Sequence, residues 1–62
     1  MKFDEMTWPE VRHIDRDQTI VVIPIASCEQ HSHHLPTFTD SILVGGVASA
    51  LEERLSKQVL LV

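Results

Sequence analysis

The side chains able to do chemistry in this 62-residue chain are gathered in one stretch. Four histidines are present; three of them, His31, His33 and His34, lie in close succession, with Glu29 just before them and Asp40 a little after. Glu29 and His31 are two positions apart, which in an extended segment sends both side chains to the same side. Asp40 follows at the start of a helical pattern. A carboxylate, an imidazole and a second carboxylate are hard and borderline donors suited to Zn²⁺ or Mn²⁺. The spacing therefore predicts a metal site drawn from Glu29, His31 and Asp40. Taken singly, each has an ordinary reading: a solvated loop acid, a surface imidazole, a helix N-cap favoured by the macrodipole. Only their conjunction favours the metal. His33 and His34 read as surface residues or neighbours of such a site, His13 as a solvated helix-end residue, and Cys28 as a small buried apolar side chain.

The elements that must position these residues follow from the flanking pattern. Thr7-Trp8-Pro9-Glu10 has the spacing of a capping box with Pro in the first turn, so a short helix runs from about Trp8 to His13. Asp15 to Gln18 is polar and without period, a turn. Thr19 to Ile25 is β-branched and apolar without alternation, the pattern of a strand covered on both faces in a parallel sheet; Pro24 loosens its pairing near the end. Ala26 to Thr39 carries the histidines, Pro36 and no period, and reads as a long loop. From Asp40 to about Ser56 the pattern is that of an amphipathic helix, with Val44, Val47, Ala48, Leu51 and Leu55 on one stripe as core and Thr39 or Asp40 as N-cap. Gly45-Gly46 weakens that helix, with close approach to the sheet as the compensating benefit. Trp8 also reads as core. Gln58 to Val62 begins a second buried strand.

This order predicts an α/β fold, a βαβ crossover of two parallel strands. In open α/β sheets ligands gather beyond the carboxyl ends of the strands, and the histidine loop leaves the first strand there. Two strands alone do not make a stable sheet.

Composition narrows the class. Apolar residues make up 44% of the chain, the proportion of a globular core. A formal charge of −4 and a pI near 5.3 exclude the electrostatic footprint of a nucleic-acid binder or an anionic-membrane binder. No apolar run reaches the length of a membrane span, and the first residues lack the apolar core of a secretory signal. With a single cysteine no internal disulfide is available, so a cytoplasmic location is expected. A chain this short needs a metal, partner chains or further polypeptide to hold its fold.

Glu-Met-Thr-Trp-Pro-Glu-Val at 5 to 11, Val-Val-Ile-Pro-Ile at 21 to 25, and Ser-x-Glu-Gln-His-x-x-His-Leu-Pro-x-x-Thr-Asp from Ser27 to Asp40 resemble the N-terminal segment of the creatininase (creatinine amidohydrolase) family. The resemblance implies a three-layer α/β/α domain with a mostly parallel sheet and assembly as homo-oligomers. It also implies hydrolysis of C–N bonds in cyclic or linear amides, with a small-molecule amide as substrate, at a two-metal centre of Zn²⁺ or Mn²⁺. By the same resemblance Glu29 is a ligand of one metal, His31 of the other, Asp40 bridges the pair, and His34 supports the centre from beside it. Ser32-His33 stands where the family commonly has Gly-Pro.

The family's remaining ligands, a His and a Glu, lie further along its longer domain. Residues 1–62 therefore read as an N-terminal fragment of one creatininase-like domain, and this chain alone is expected to be inactive. The alternative is a small non-catalytic metal-binding or interaction protein that pairs its open sheet edge with another chain.

Overall fold

Two short strands and two helices, with one turn of 3₁₀ helix (Phe3–Glu5) ahead of them, make up the computed structural model, which describes residues 1–62. Helix α1 (Trp8–Arg12) starts at the capping box, where the Thr7 N–H donates to a Glu10 carboxylate oxygen at 2.8 Å. It ends at His13, whose N–H is shared among carbonyls of the last turn. The Asp15 carboxylate then accepts the Asp17 N–H at 3.0 Å and shapes the expected turn. Strand β1 (Ile20–Val22) and strand β2 (Val59–Leu61) pair in parallel, with Ile20 opposite Val59, Val21 opposite Leu60 and Val22 opposite Leu61. Helix α2 (Thr39–Arg54) joins them, so the expected α/β βαβ unit is present.

Both strands are shorter than the apolar runs that contain them. Ile23 and Ile25 continue the β1 run yet are 62% and 84% exposed, because beyond Val22 no second strand lies alongside and Pro24 has no N–H to offer one. The N-cap of α2 is Phe38, one residue before Thr39 and two before Asp40, the expected caps. The Thr39 hydroxyl bonds backwards to the Pro36 carbonyl at 2.7 Å and is not used as a cap.

The core is small: Ala48, Val59 and Leu60, with Glu52 as the single buried charge. Strand alternation explains it. Val59 stands on the same face as Leu61 and Val22, and α2 packs against β2. Val21 and Leu60 point the other way, where Val11 and Ile14 flank them around a shallow hollow.

Four expectations are corrected here. Of the stripe Val44, Val47, Ala48, Leu51 and Leu55, only Ala48 is buried: Val44 is half-buried, Val47 is 72% exposed, and Leu51 and Leu55 are also exposed. The buried positions of α2 are Ala48 and Glu52, a small residue and a paired one. The larger apolar side chains instead line an open groove with Val22 and Pro24. Gly45 and Gly46 provide no close approach, since a Cβ at either would meet nothing within 4 Å. Trp8 is exposed, standing at the start of a helix of five residues with no element over it. Cys28 is likewise exposed, in the irregular segment after β1, where nothing packs on it.

Candidate metal centre

The segment between β1 and α2 is not shapeless. The Glu29 N–H donates to the Thr37 carbonyl at 3.1 Å, and His31 pairs antiparallel with Leu35. These two pairings share one register and fold residues 29–37 into a small hairpin with His33 at its tip. Ser32 takes up the reversal with φ of 60°, in the left-handed region that disfavours a Cβ. The Gln30 side chain accepts the Ser32 N–H at 2.8 Å and helps to hold this conformation. Glycine, which the creatininase resemblance implies at position 32, is the residue such a φ favours.

The reversal brings His31 back to the first turn of α2. Its Nδ1 lies 2.9 Å from the Glu29 carbonyl oxygen and its Nε2 lies 3.3 Å from Asp40 Oδ2. A carbonyl only accepts, so Nδ1 carries a proton, and in the neutral ring Nε2 is then a bare acceptor. Neutral His31 thus holds a lone pair against a carboxylate oxygen. A proton or another cation between the two relieves that conflict. The His31 pKa is accordingly raised above 6.5, foremost by the hydrogen bond to the Glu29 carbonyl. The charge of Asp40, the hydrogen bond to it and the charge of Glu29 act in the same direction, and partial desolvation opposes them.

The geometry also suits two donors of one metal ion. With metal–donor bonds of roughly 2.0–2.1 Å, tetrahedral donors sit about 3.3 Å apart, the separation seen between Nε2 and Oδ2. A backbone carbonyl on the second ring nitrogen is the usual way in which a ligating imidazole is oriented.

Of the residues singled out from the sequence, the structure brings His31 and Asp40 together. Glu29 contributes its carbonyl to the pair and its charge to the His31 pKa. Its carboxylate does not complete a cluster, and no three His, Cys, Asp or Glu side chains converge tightly enough to hold a metal ion. His33 and His34 are exposed, and His13 is exposed with Nδ1 at 2.6 Å from the Pro9 carbonyl oxygen. The role of the Glu29 main chain went unread in the sequence because any residue supplies a carbonyl.

No curated protein and no solved structure matches the chain. The model of the creatininase family, described as creatinine amidohydrolase, matches residues 4–62, nearly the whole length. This match, over a chain folded as an α/β crossover, shows that the chain belongs to the creatininase family of amidohydrolases.

Proposed function

We propose that this chain supplies part of a metal-dependent amidohydrolase site acting on C–N bonds of cyclic or linear amides, with Glu29, His31 and Asp40 as metal-ligating residues. The observation that carries this reading is the 3.3 Å approach of two acceptor atoms, His31 Nε2 and Asp40 Oδ2. By the family resemblance, Asp40 would be shared by two ions of zinc or manganese, His31 would hold one and Glu29 the other, and His34 would stand beside them. Such ions, when bound, polarise the amide carbonyl and acidify a water. The chain's own residues prepare for that. The Glu29 carbonyl fixes the imidazole tautomer that leaves Nε2 free to donate its lone pair. Asp40, anchored on a sixteen-residue helix, holds its carboxylate opposite it.

Two converging donors fall short of the three protein ligands a catalytic zinc normally requires. The chain is read as one portion of a larger creatininase-like domain, for which the bare faces of β1 and α2 are the physical support. On this reading the 62-residue chain turns over no amide by itself. The test is a turnover assay on cyclic amides and formamides with added Zn²⁺ or Mn²⁺. Background rates are expected; robust hydrolysis by this chain would refute the reading of a partial site.

A further inference from the structure

The hairpin that carries His31 is fastened unevenly. At its open end the Glu29 N–H donates to the Thr37 carbonyl at 3.1 Å, and the N–H and hydroxyl of Thr39 donate to the Pro36 carbonyl at 3.2 and 2.7 Å. At the tip, Ser32 is the only residue from His31 to Leu35 whose N–H donates a hydrogen bond, and the acceptor is the Gln30 side-chain oxygen at 2.8 Å. Ser32 is also the one residue of the chain with a positive φ. The single left-handed residue is thus held by a single side chain.

The energies of the two are comparable. A serine in the left-handed region is disfavoured roughly five- to thirtyfold, and one net hydrogen bond recovers roughly two- to tenfold. Without the Gln30 oxygen the Ser32 N–H turns to water and the turn relaxes toward negative φ, which moves the residue just before it, His31. The same closure from a side chain to the N–H two residues on occurs a second time in the chain, where Asp15 accepts the Asp17 N–H at 3.0 Å. There the acceptor is one of the shorter side chains for which such turns are usual.

We propose that Gln30 is a positioning residue of the metal centre: its amide oxygen holds Ser32 in the left-handed turn and thereby keeps His31 Nε2 turned to Asp40. Gln30 acts through His31 and is not itself a donor, so its role rests on the reading of His31 and Asp40 as metal ligands. The Glu29 carbonyl selects which ring nitrogen is free; Gln30 sets where that nitrogen stands.

The test compares the chain with Gln30→Ala, Gln30→Asn and the double variant Gln30→Ala/Ser32→Gly, first without metal and then in a Zn²⁺ titration. The metal-free readout is the NMR cross-relaxation between the His31 ring and the Asp40 β-protons, with the contact of Ile20 and Val59 across the strands as the control for folding. Gln30→Ala is expected to weaken the His31–Asp40 cross-peak, keep the strand contact, and raise the Zn²⁺ concentration at which His31 responds by roughly three- to tenfold. Asparagine accepts the same N–H and glycine takes a positive φ unaided, so Gln30→Asn and the double variant are each expected to stay within about twofold of the parent chain. An unchanged cross-peak in Gln30→Ala overturns the proposal. So does a loss that either rescue fails to recover, or one that takes the strand contact with it. Should the cross-peak follow these expectations while Zn²⁺ leaves His31 untouched in every chain, the metal reading fails and the placement of His31 by Gln30 stands.

Discussion

His31 shows how far residue types alone can be read. Its type and its place after a strand end made it a metal-ligand candidate, and Asp40 faces it as the motif implies. The turn that swings the imidazole onto Asp40 was hidden, because it depends on Ser32 adopting a φ of 60° that serine seldom takes. Two predictions belong at this scale. Folded His31 holds its proton more tightly than the unfolded chain does, since its pKa is raised above 6.5. Protonation therefore adds stability that is fully present below that value and is lost as pH rises through the raised pKa. NMR titration of the imidazole carbons is expected to show an elevated midpoint, and Asp40→Asn is expected to lower it while the Glu29 carbonyl keeps part of the rise. A midpoint that ignores Asp40→Asn would disprove the pairing. Ser32→Gly is expected to relieve about 1 kcal/mol of backbone strain, seen as slower hydrogen exchange of the Glu29 N–H across the hairpin. Faster exchange would show that the turn is not strained.

At the scale of elements, α2 was the easiest to find and its orientation the hardest to foresee. The apolar stripe and the starting Asp40 mark a helix within a residue or two of Thr39–Arg54, despite the glycine pair inside it. Of the apolar stripe only Ala48 is buried, with Glu52 beside it, while the larger members Val47, Leu51 and Leu55 are exposed. A sequence offers no sign that a glutamate will be buried when the nitrogen it meets is that of Met1, more than fifty positions away. The glycines give a clean check. With nothing within 4 Å of a Cβ at either site, Gly45→Ala or Gly46→Ala is expected to stabilise α2 by about 1 kcal/mol each, measured as a rise in helical circular dichroism and in thermal midpoint. A loss of helix would restore the close-approach reading. The strands were placed correctly but drawn too long, because an apolar run becomes a strand only where another strand is present to pair with it.

The whole molecule exposes more surface than its mass warrants. Its accessible area is 5124 Å², against about 4,000 Å² for a compact monomer of 7.0 kDa. Its radius of gyration of 14.5 Å exceeds the roughly 10.5 Å of a compact chain of this length. The excess of roughly 1,000 Å² is of the order that one partner buries in a standard interface, and Ile20, Val21, Ile23, Leu43 and Val47 supply apolar area to it. On the proposed reading, these faces are where further protein of a creatininase-like domain would pack, and that protein would bring the donors that His31 and Asp40 lack. No helix is long and apolar enough to cross a membrane. The central claim is that His31 and Asp40 form two arms of a metal site, and the most direct measurement is a Zn²⁺ titration of the chain followed by NMR of its four imidazoles. The account predicts that His31 responds first, through Nε2, at a pH above its raised pKa, and that Asp40→Asn abolishes the response. Zinc that shifts His33 or His34 ahead of His31, or that binds equally well to Asp40→Asn, would contradict it.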